Sequence, residues 1–101
     1  NLYWVRAGQL FTPLLALGGV AGWMRRKLIT LCEAAAIPVT ECRAHPEILN
    51  TADEVFLSNS LVGIWPVQQM AATRWAAPGP LTRRLAQALD HPLFRRMMTH
   101  P

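Results

Sequence analysis

The chain has 101 residues, 51% of them hydrophobic and 16% charged, which fits one folded domain and excludes an intrinsically disordered protein. Its formal net charge of +4 comes from arginines that stand mainly in pairs on predicted helices. We therefore expect solvated helix faces rather than one concentrated nucleic-acid-binding patch, and Arg25, Arg26 and Lys27 interrupt the best candidate for a membrane span.

The first predicted element is a β-hairpin. Residues 1–5 and 9–12 are short apolar runs joined by Arg6-Ala7-Gly8, where Gly8 can supply the positive φ of a tight turn. Pro13 is expected to end the second strand. Because the chain begins inside a strand and without a methionine, we expect a fragment of a longer protein.

The clearest predicted helix covers residues 22–36. Its apolar residues follow the spacing of one buried stripe: Met24, Leu28, Leu31, Cys32 and Ala35. Pro38 is expected to end this helix. A glycine-rich turn, Gly18-Gly19-Val20-Ala21-Gly22, opens it.

The remaining elements alternate between strands and helices. Strands are predicted at 39–43, 54–58 and 64–72, and a short helical turn at 45–49 has Pro46 at its first position. After a loop at 78–80, Thr82 caps or opens the last helix, whose inner side carries Leu85, Leu89 and Leu93. This order predicts a mixed α/β domain, with strands around a core and flanking helices, over residues 1–101.

Few side chains are arranged for acid–base or metal chemistry. Cys32 and Cys42 lack metal-ligand spacing, so we expect buried reduced thiols in a cytoplasmic protein, and no metal site is predicted. Asp53 and Glu54 are neighbours on a strand and should face opposite sides, which excludes an acid–base pair.

The start of the predicted helix is a candidate anion site. A helix N-terminus presents unpaired backbone N–H groups and a partial positive charge, and the glycines allow a ligand to come close. Arg25, Arg26 and Lys27 in the first turns oppose the helix dipole, and a bound anion would relieve this conflict. The structural alternative is a glycine-rich connection followed by an exposed arginine-rich face.

A second candidate is the polar turn Ser58-Asn59-Ser60, set between two predicted buried strands. Its hydroxyl, amide and backbone N–H groups suit a small anion such as phosphate. The structural alternative is ordinary polar turn chemistry.

Several motifs occur in an order similar to that of fold-type IV pyridoxal-phosphate (PLP) enzymes. They are Asn1-Leu2-Tyr3-Trp4, Leu10-Phe11-Thr12-Pro13, Gly19-Val20-Ala21-Gly22-Trp23-Met24-Arg25, Ala52-Asp53-Glu54-Val55-Phe56-Leu57-Ser58-Asn59-Ser60-Leu61 and Trp65-Pro66-Val67. The last two motifs most resemble those of the aminodeoxychorismate lyases, and the alternatives within the family are the branched-chain and D-amino-acid aminotransferases.

The resemblance implies a C-terminal domain that holds the phosphate of PLP, which lies between two domains in the family. The phosphate would rest on Gly22, Trp23 and Met24 and on Ser60, with Asn59 adjacent. The family often has threonine where Met24 stands, so only the backbone amide of Met24 carries over.

The resemblance also implies that no catalytic residue lies in this chain. The family's Schiff-base lysine and the glutamate that pairs with the pyridine nitrogen would both precede Asn1. Lys27 cannot replace that lysine, because it lies in a helix amid like charges. We therefore expect the chain alone to be inactive.

For the complete protein, the resemblance implies a homodimer that eliminates pyruvate from aminodeoxychorismate to give 4-aminobenzoate for folate synthesis. Its partners would be the missing N-terminal half, a second copy and a small-molecule substrate, without nucleic acid or membrane. The alternative of another class is a small basic interaction module that uses its arginine pairs.

Overall fold

A five-stranded sheet is the centre of the fold. The computed structural model describes residues 1–14, 22–59 and 63–89, apart from the side chains of Trp23 and Asn59. The sheet has the order β3-β2-β1-β4-β5, and its strands are β1 (Leu2–Arg6), β2 (Gln9–Pro13), β3 (Val39–Cys42), β4 (Glu54–Asn59) and β5 (Gly63–Pro66). The pair β2 and β3 is parallel, and the other neighbours are antiparallel.

Two helices and several short elements complete the described part of the chain. They are α1 (Trp23–Ala34), a 3₁₀ helix (Pro46–Thr51), a small hairpin of β6 (Gln69–Met70) and β7 (Thr73–Arg74), and α2 (Pro80–Leu89). This arrangement confirms the predicted mixed α/β class. Neither α1 nor α2 has the length and apolar character that crossing a membrane requires.

The predicted hairpin between β1 and β2 is confirmed. Arg6 pairs with Gln9, and the two residues between them, Ala7 and Gly8, have φ values of 52° and 76°. Positive φ at both central residues is what a type I′ turn requires, and this turn matches the natural twist of the two strands.

The sheet buries a different set of side chains on each face, because successive residues of a strand point in opposite directions. On one face, Tyr3, Val5, Phe56 and Ile64 pack with the buried stripes of the two helices. On the other face lies a smaller cluster formed by Trp4, Leu49, Val55 and Trp75.

Helix α1 has the predicted buried stripe but ends before Pro38. Ala36 adopts a left-handed conformation with φ 57°. The Ile37 N–H donates to the Cys32 carbonyl at 2.9 Å, and the Ala36 N–H donates to the Glu33 carbonyl at 3.2 Å. These two bonds form a Schellman motif, so the local backbone rather than proline ends the helix.

The two cysteines are free thiols. Cys32 lies in the core, and burial raises the pKa of its thiol to about 11. Cys42 is half-buried at the end of β3, so only Cys32 matches the prediction of a fully buried thiol.

The prediction of one strand over residues 64–72 is wrong. Strand β5 ends at Pro66, and the chain then forms the hairpin of β6 and β7. Ala71, with φ 52°, lies in the tight turn of this hairpin. Alanine is not a typical turn residue, so the sequence pattern concealed the turn.

Helix α2 begins at Pro80, and its N-terminal N–H groups are capped by Glu54 rather than by Thr82. The Glu54 carboxylate accepts hydrogen bonds from the N–H groups of Leu81 at 3.1 Å and Thr82 at 2.7 Å. A Cβ at Gly79 would overlap the Glu54 side chain, so the close approach requires glycine there. The Thr82 hydroxyl is buried and has no hydrogen-bond partner among the described residues.

Asp53 and Glu54 have different partners, although Asp53 precedes β4 and does not lie on the strand as predicted. The Asp53 carboxylate accepts the Ala7 N–H at 2.9 Å, in the turn of the first hairpin. Glu54 instead connects β4 to α2. The two carboxylates therefore stabilise separate parts of the fold.

We predict that Glu54→Gln lowers the free energy of unfolding by about 1–2 kcal/mol, because a charged cap inside the protein is replaced by an amide whose NH₂ group cannot accept a hydrogen bond. Urea unfolding followed by circular dichroism measures this loss. The exposed Glu33→Gln on α1 is the control and should change stability by less than about 0.5 kcal/mol. Equal effects of the two substitutions would contradict the capping role.

Candidate functional site

The start of α1 lacks a side-chain cap. Gly22 is the N-cap residue, with φ −54° and ψ 150°, and no acidic residue lies in the first turn. The Gly22 carbonyl accepts hydrogen bonds from the N–H groups of Arg25 at 3.1 Å and Arg26 at 3.4 Å. No side chain in the described part of the chain caps the N–H groups of Trp23 and Met24, and such a helix start attracts anions.

Met24 contributes only its backbone to this helix start. Its side chain is 2% exposed and packs in the core with Leu28 and Cys32. The predicted helix start at Gly22, Trp23 and Met24 is thus confirmed as a structural element. Gly18 and Gly19 lie outside the described residues.

The end of β4 differs from the predicted polar turn. Ser58 and Asn59 still belong to the strand, where they pair with Ile64 and Gly63. The Ser58 side chain points into the core, because alternation along the strand places it on the same face as Phe56. The predicted strand 54–58 is thus confirmed and extends to Asn59, whereas the assignment of Ser58 and Asn59 to a polar turn is wrong. Ser60 lies outside the described residues.

Asn1 brings the helix start and the end of β4 together. Its backbone nitrogen donates to the Ser58 carbonyl at 2.8 Å, and its own carbonyl accepts the Ser58 N–H at 2.9 Å. A Cβ placed on Gly22 would lie 3.8 Å from the Asn1 side-chain nitrogen. Gly22 and Ser58, one from each candidate element, therefore both lie next to Asn1, where β1 begins and β4 ends.

One interior polar contact between β1 and β4 joins two hydroxyl groups. The Ser58 hydroxyl donates to the Tyr3 hydroxyl at 2.9 Å. Burial raises the pKa of Tyr3, an effect partly opposed by the Ser58 hydrogen bond and the positive charge of Arg25. The phenol is therefore neutral at physiological pH and fixes the end of β4 against β1.

The arginine pairs are predicted to lie on solvated helix faces, and for Arg25 this prediction is wrong. Only 3% of its surface is exposed, whereas Arg26 and Lys27 are exposed as expected. Its guanidinium donates to the Thr12 hydroxyl at 2.9 Å and to the Pro13 carbonyl at 3.2 Å. It also forms a salt bridge with Glu41 at 3.1 Å.

One sequence signal could have identified the burial of Arg25. It lies three and seven residues before Leu28 and Cys32, which are both fully buried, so all three share one side of α1. The polar partners of the buried guanidinium lie on β2 and β3, and local periodicity does not reveal them.

We predict that Ser58→Ala lowers the free energy of unfolding by about 1–3 kcal/mol, because it leaves the buried Tyr3 hydroxyl without its partner. Adding Tyr3→Phe should cost less than the sum of the single substitutions, with a coupling energy of about 1 kcal/mol in urea unfolding. Strict additivity of the two substitutions would show that the hydroxyl pair contributes no coupling.

Comparisons with known proteins identify related enzymes. The family profile of amino-transferase class IV matches residues 1–70. The chain is 41% identical over 93 residues to an aminodeoxychorismate lyase of Vibrio harveyi. The aligned region covers 89% of this chain and 34% of the relative. The chain therefore spans about a third of the length of that curated relative.

Solved structures agree with this finding. The branched-chain amino acid aminotransferase of Escherichia coli has a TM-score of 0.83 and 35% identity, over 89% of this chain and 31% of that chain. An aminotransferase from Brucella abortus bound to the cofactor PLP has a TM-score of 0.81 and 28% identity, also over 89% of this chain and 31% of that chain. Lyases and aminotransferases are thus both similar to this chain.

Proposed function

Since the chain belongs to the amino-transferase class IV family, we propose that it is the C-terminal, phosphate-binding part of a PLP-dependent enzyme of fold type IV. The observation that carries this proposal is the uncapped start of α1 at Gly22, beside Asn1 and the end of β4. In this proposal Gly22, Trp23 and Met24 hold one side of the phosphate, and Asn59 and Ser60 hold the other.

The chemistry of the helix start fits a phosphate monoester. Its free backbone N–H groups and helix dipole favour a negatively charged ligand. Gly22 has no side chain that would occupy the position of the ligand, and the first turn has no acidic residue that would repel it.

When bound, PLP supplies an electron sink for the substrate, and the protein supplies orientation and charge. The role of this chain is to anchor the phosphate and so to fix the position of the cofactor ring. Lys27 is exposed on α1, whereas a lysine that bonds covalently to the cofactor needs a dry pocket. We propose that the remainder of the complete protein provides this lysine, and that the isolated chain is inactive.

For the complete protein, we propose a lyase that eliminates pyruvate from 4-amino-4-deoxychorismate and releases 4-aminobenzoate for folate synthesis. The support is the 41% identity to the Vibrio harveyi lyase. An aminotransferase is the second candidate, supported by the structural similarity to the Escherichia coli enzyme with its TM-score of 0.83. Membership of the family favours both enzymes over a basic interaction module. The proposed homodimer rests on the resemblance, and the proposed cytoplasmic location rests on the two free cysteines.

We predict that the complete gene product, supplied with PLP, converts 4-amino-4-deoxychorismate into equimolar 4-aminobenzoate and pyruvate. Liquid chromatography measures the aromatic product, and a coupled reduction assay measures pyruvate. A parallel reaction contains a branched-chain amino acid and a 2-oxo acid. Transamination in that reaction, without 4-aminobenzoate in the first, would favour the aminotransferase.

We predict opposite effects of Gly22→Asp on stability and on cofactor binding. The carboxylate should cap α1 and raise the free energy of unfolding of the cofactor-free protein by about 0.5 kcal/mol. The same negative charge should weaken PLP binding at least about tenfold, which corresponds to about 1.4 kcal/mol. Equilibrium dialysis measures the binding, and urea unfolding measures the stability.

The matched control for this prediction is Gly22→Ala. The backbone angles of Gly22 suit any residue, and the added Cβ would make an ordinary contact at 3.8 Å with Asn1. Alanine should therefore weaken PLP binding less than about threefold, or about 0.65 kcal/mol. Undiminished PLP binding by the aspartate variant would contradict a phosphate site at this helix start.

A further inference from the structure

Arg25 occupies a position that is unfavourable for a cation in two ways. It lies in the first turn of α1, where the helix dipole disfavours positive charge. Its side chain is also removed from water, since only 4% of it is exposed. The partner carboxylate, that of Glu41, has a side chain that is 46% exposed, so the ion pair is buried at its arginine end only.

An apolar side chain of similar length would fill the same space without these costs, because buried ion pairs are often no more stabilising than well-packed apolar residues. The presence of arginine therefore needs another explanation than packing. A dianion at the adjacent N–H groups would offset both costs, since it interacts favourably with the guanidinium and with the helix dipole.

The contacts of Arg25 connect the first turn of α1 to the sheet and, through Leu2 and Asn1, back to the N-cap residue of the same helix. The guanidinium binds the Thr12 hydroxyl, which in turn donates to the Leu2 carbonyl at 2.9 Å. Asn1, the neighbour of Leu2, lies against Gly22 at the N-cap of the same helix. The first turn of α1 is thus fixed to β1 through Thr12, to the end of β2 through Pro13 and to β3 through Glu41.

We propose that Arg25 is a positioning residue for the cofactor phosphate. It holds the N–H groups of Trp23 and Met24 in one fixed arrangement, and its buried charge strengthens the attraction of this helix start for a phosphate dianion. The inference rests on the proposed function, and it assigns no contact between Arg25 and the cofactor.

The test uses the complete gene product and compares PLP with pyridoxal, which has the same ring and aldehyde but no phosphate. Dissociation constants come from equilibrium dialysis, and urea unfolding of the cofactor-free protein reports stability. Arg25→Met removes the charge and its hydrogen bonds. Arg26→Met is the matched control, because it removes the same charge from the next, exposed residue of α1.

For Arg25→Met we expect a dissociation constant for PLP that is at least about tenfold higher, with less than about a twofold change for pyridoxal. Arg26→Met should change both constants less than about twofold. Arg25→Lys keeps the charge but loses the forked hydrogen bonds, so it should fall between the wild type and Arg25→Met for PLP alone.

Three outcomes overturn the inference. Parallel losses of PLP and pyridoxal affinity would show that Arg25 only supports the fold. An equal loss of PLP affinity in Arg26→Met would show an effect of net charge. An unchanged PLP affinity in Arg25→Met would contradict the role of Arg25 alone. A separate result, a wild type without any preference for PLP over pyridoxal, would contradict the proposed phosphate site itself. If Arg25→Met does not fold, the selectivity of Arg25→Lys decides between the first outcome and the proposal.

Discussion

The buried guanidinium of Arg25 is the constraint on which the start of α1 depends. A buried charge must have polar partners, and the structure supplies them from the ends of β2 and β3. These partners determine where the helix begins relative to the sheet. The N-cap residue Gly22 also lies against Asn1, which pairs with Ser58 near the end of β4.

Helices α1 and α2 have contrasting N-termini. Helix α2 receives an internal anion, the carboxylate of Glu54, which accepts two of its first N–H groups. Helix α1 has no such cap among the described residues, and its first turn is basic rather than acidic. A carboxylate of the chain thus caps one helix start, that of α2. The start of α1 lacks such a cap among the described residues.

Local sequence signals predicted much of the fold. The positive φ of Gly8 and the apolar stripe of Met24, Leu28 and Cys32 are encoded by neighbouring residues, and both predictions are confirmed. The turn at Ala71 was missed, because alanine in a left-handed conformation has no sequence signature. The burial of Arg25 was also missed, since it depends on Thr12 and Glu41, which are distant from it in sequence.

The candidate site was also predictable only where it depends on residues that are neighbours in sequence. The helix start at Gly22 follows from a glycine next to an amphipathic segment, whereas its proximity to Ser58 follows from the pairing of β1 with β4. Pairing over such a distance is a property of the whole sheet. The resemblance in motif order to the enzyme family indicated that the two elements lie close together, whereas the individual residues did not.

The proposed role as a phosphate anchor agrees with the similarity of this chain to both lyases and aminotransferases. The phosphate is the same group in either reaction, so the residues that hold it face the same physical requirement in both enzymes. Reaction type depends instead on groups that contact the substrate and on the lysine that moves its proton. Gly22→Asp and Arg25→Met should therefore weaken the binding of the cofactor, and with it the activity of either enzyme, without converting one reaction into the other.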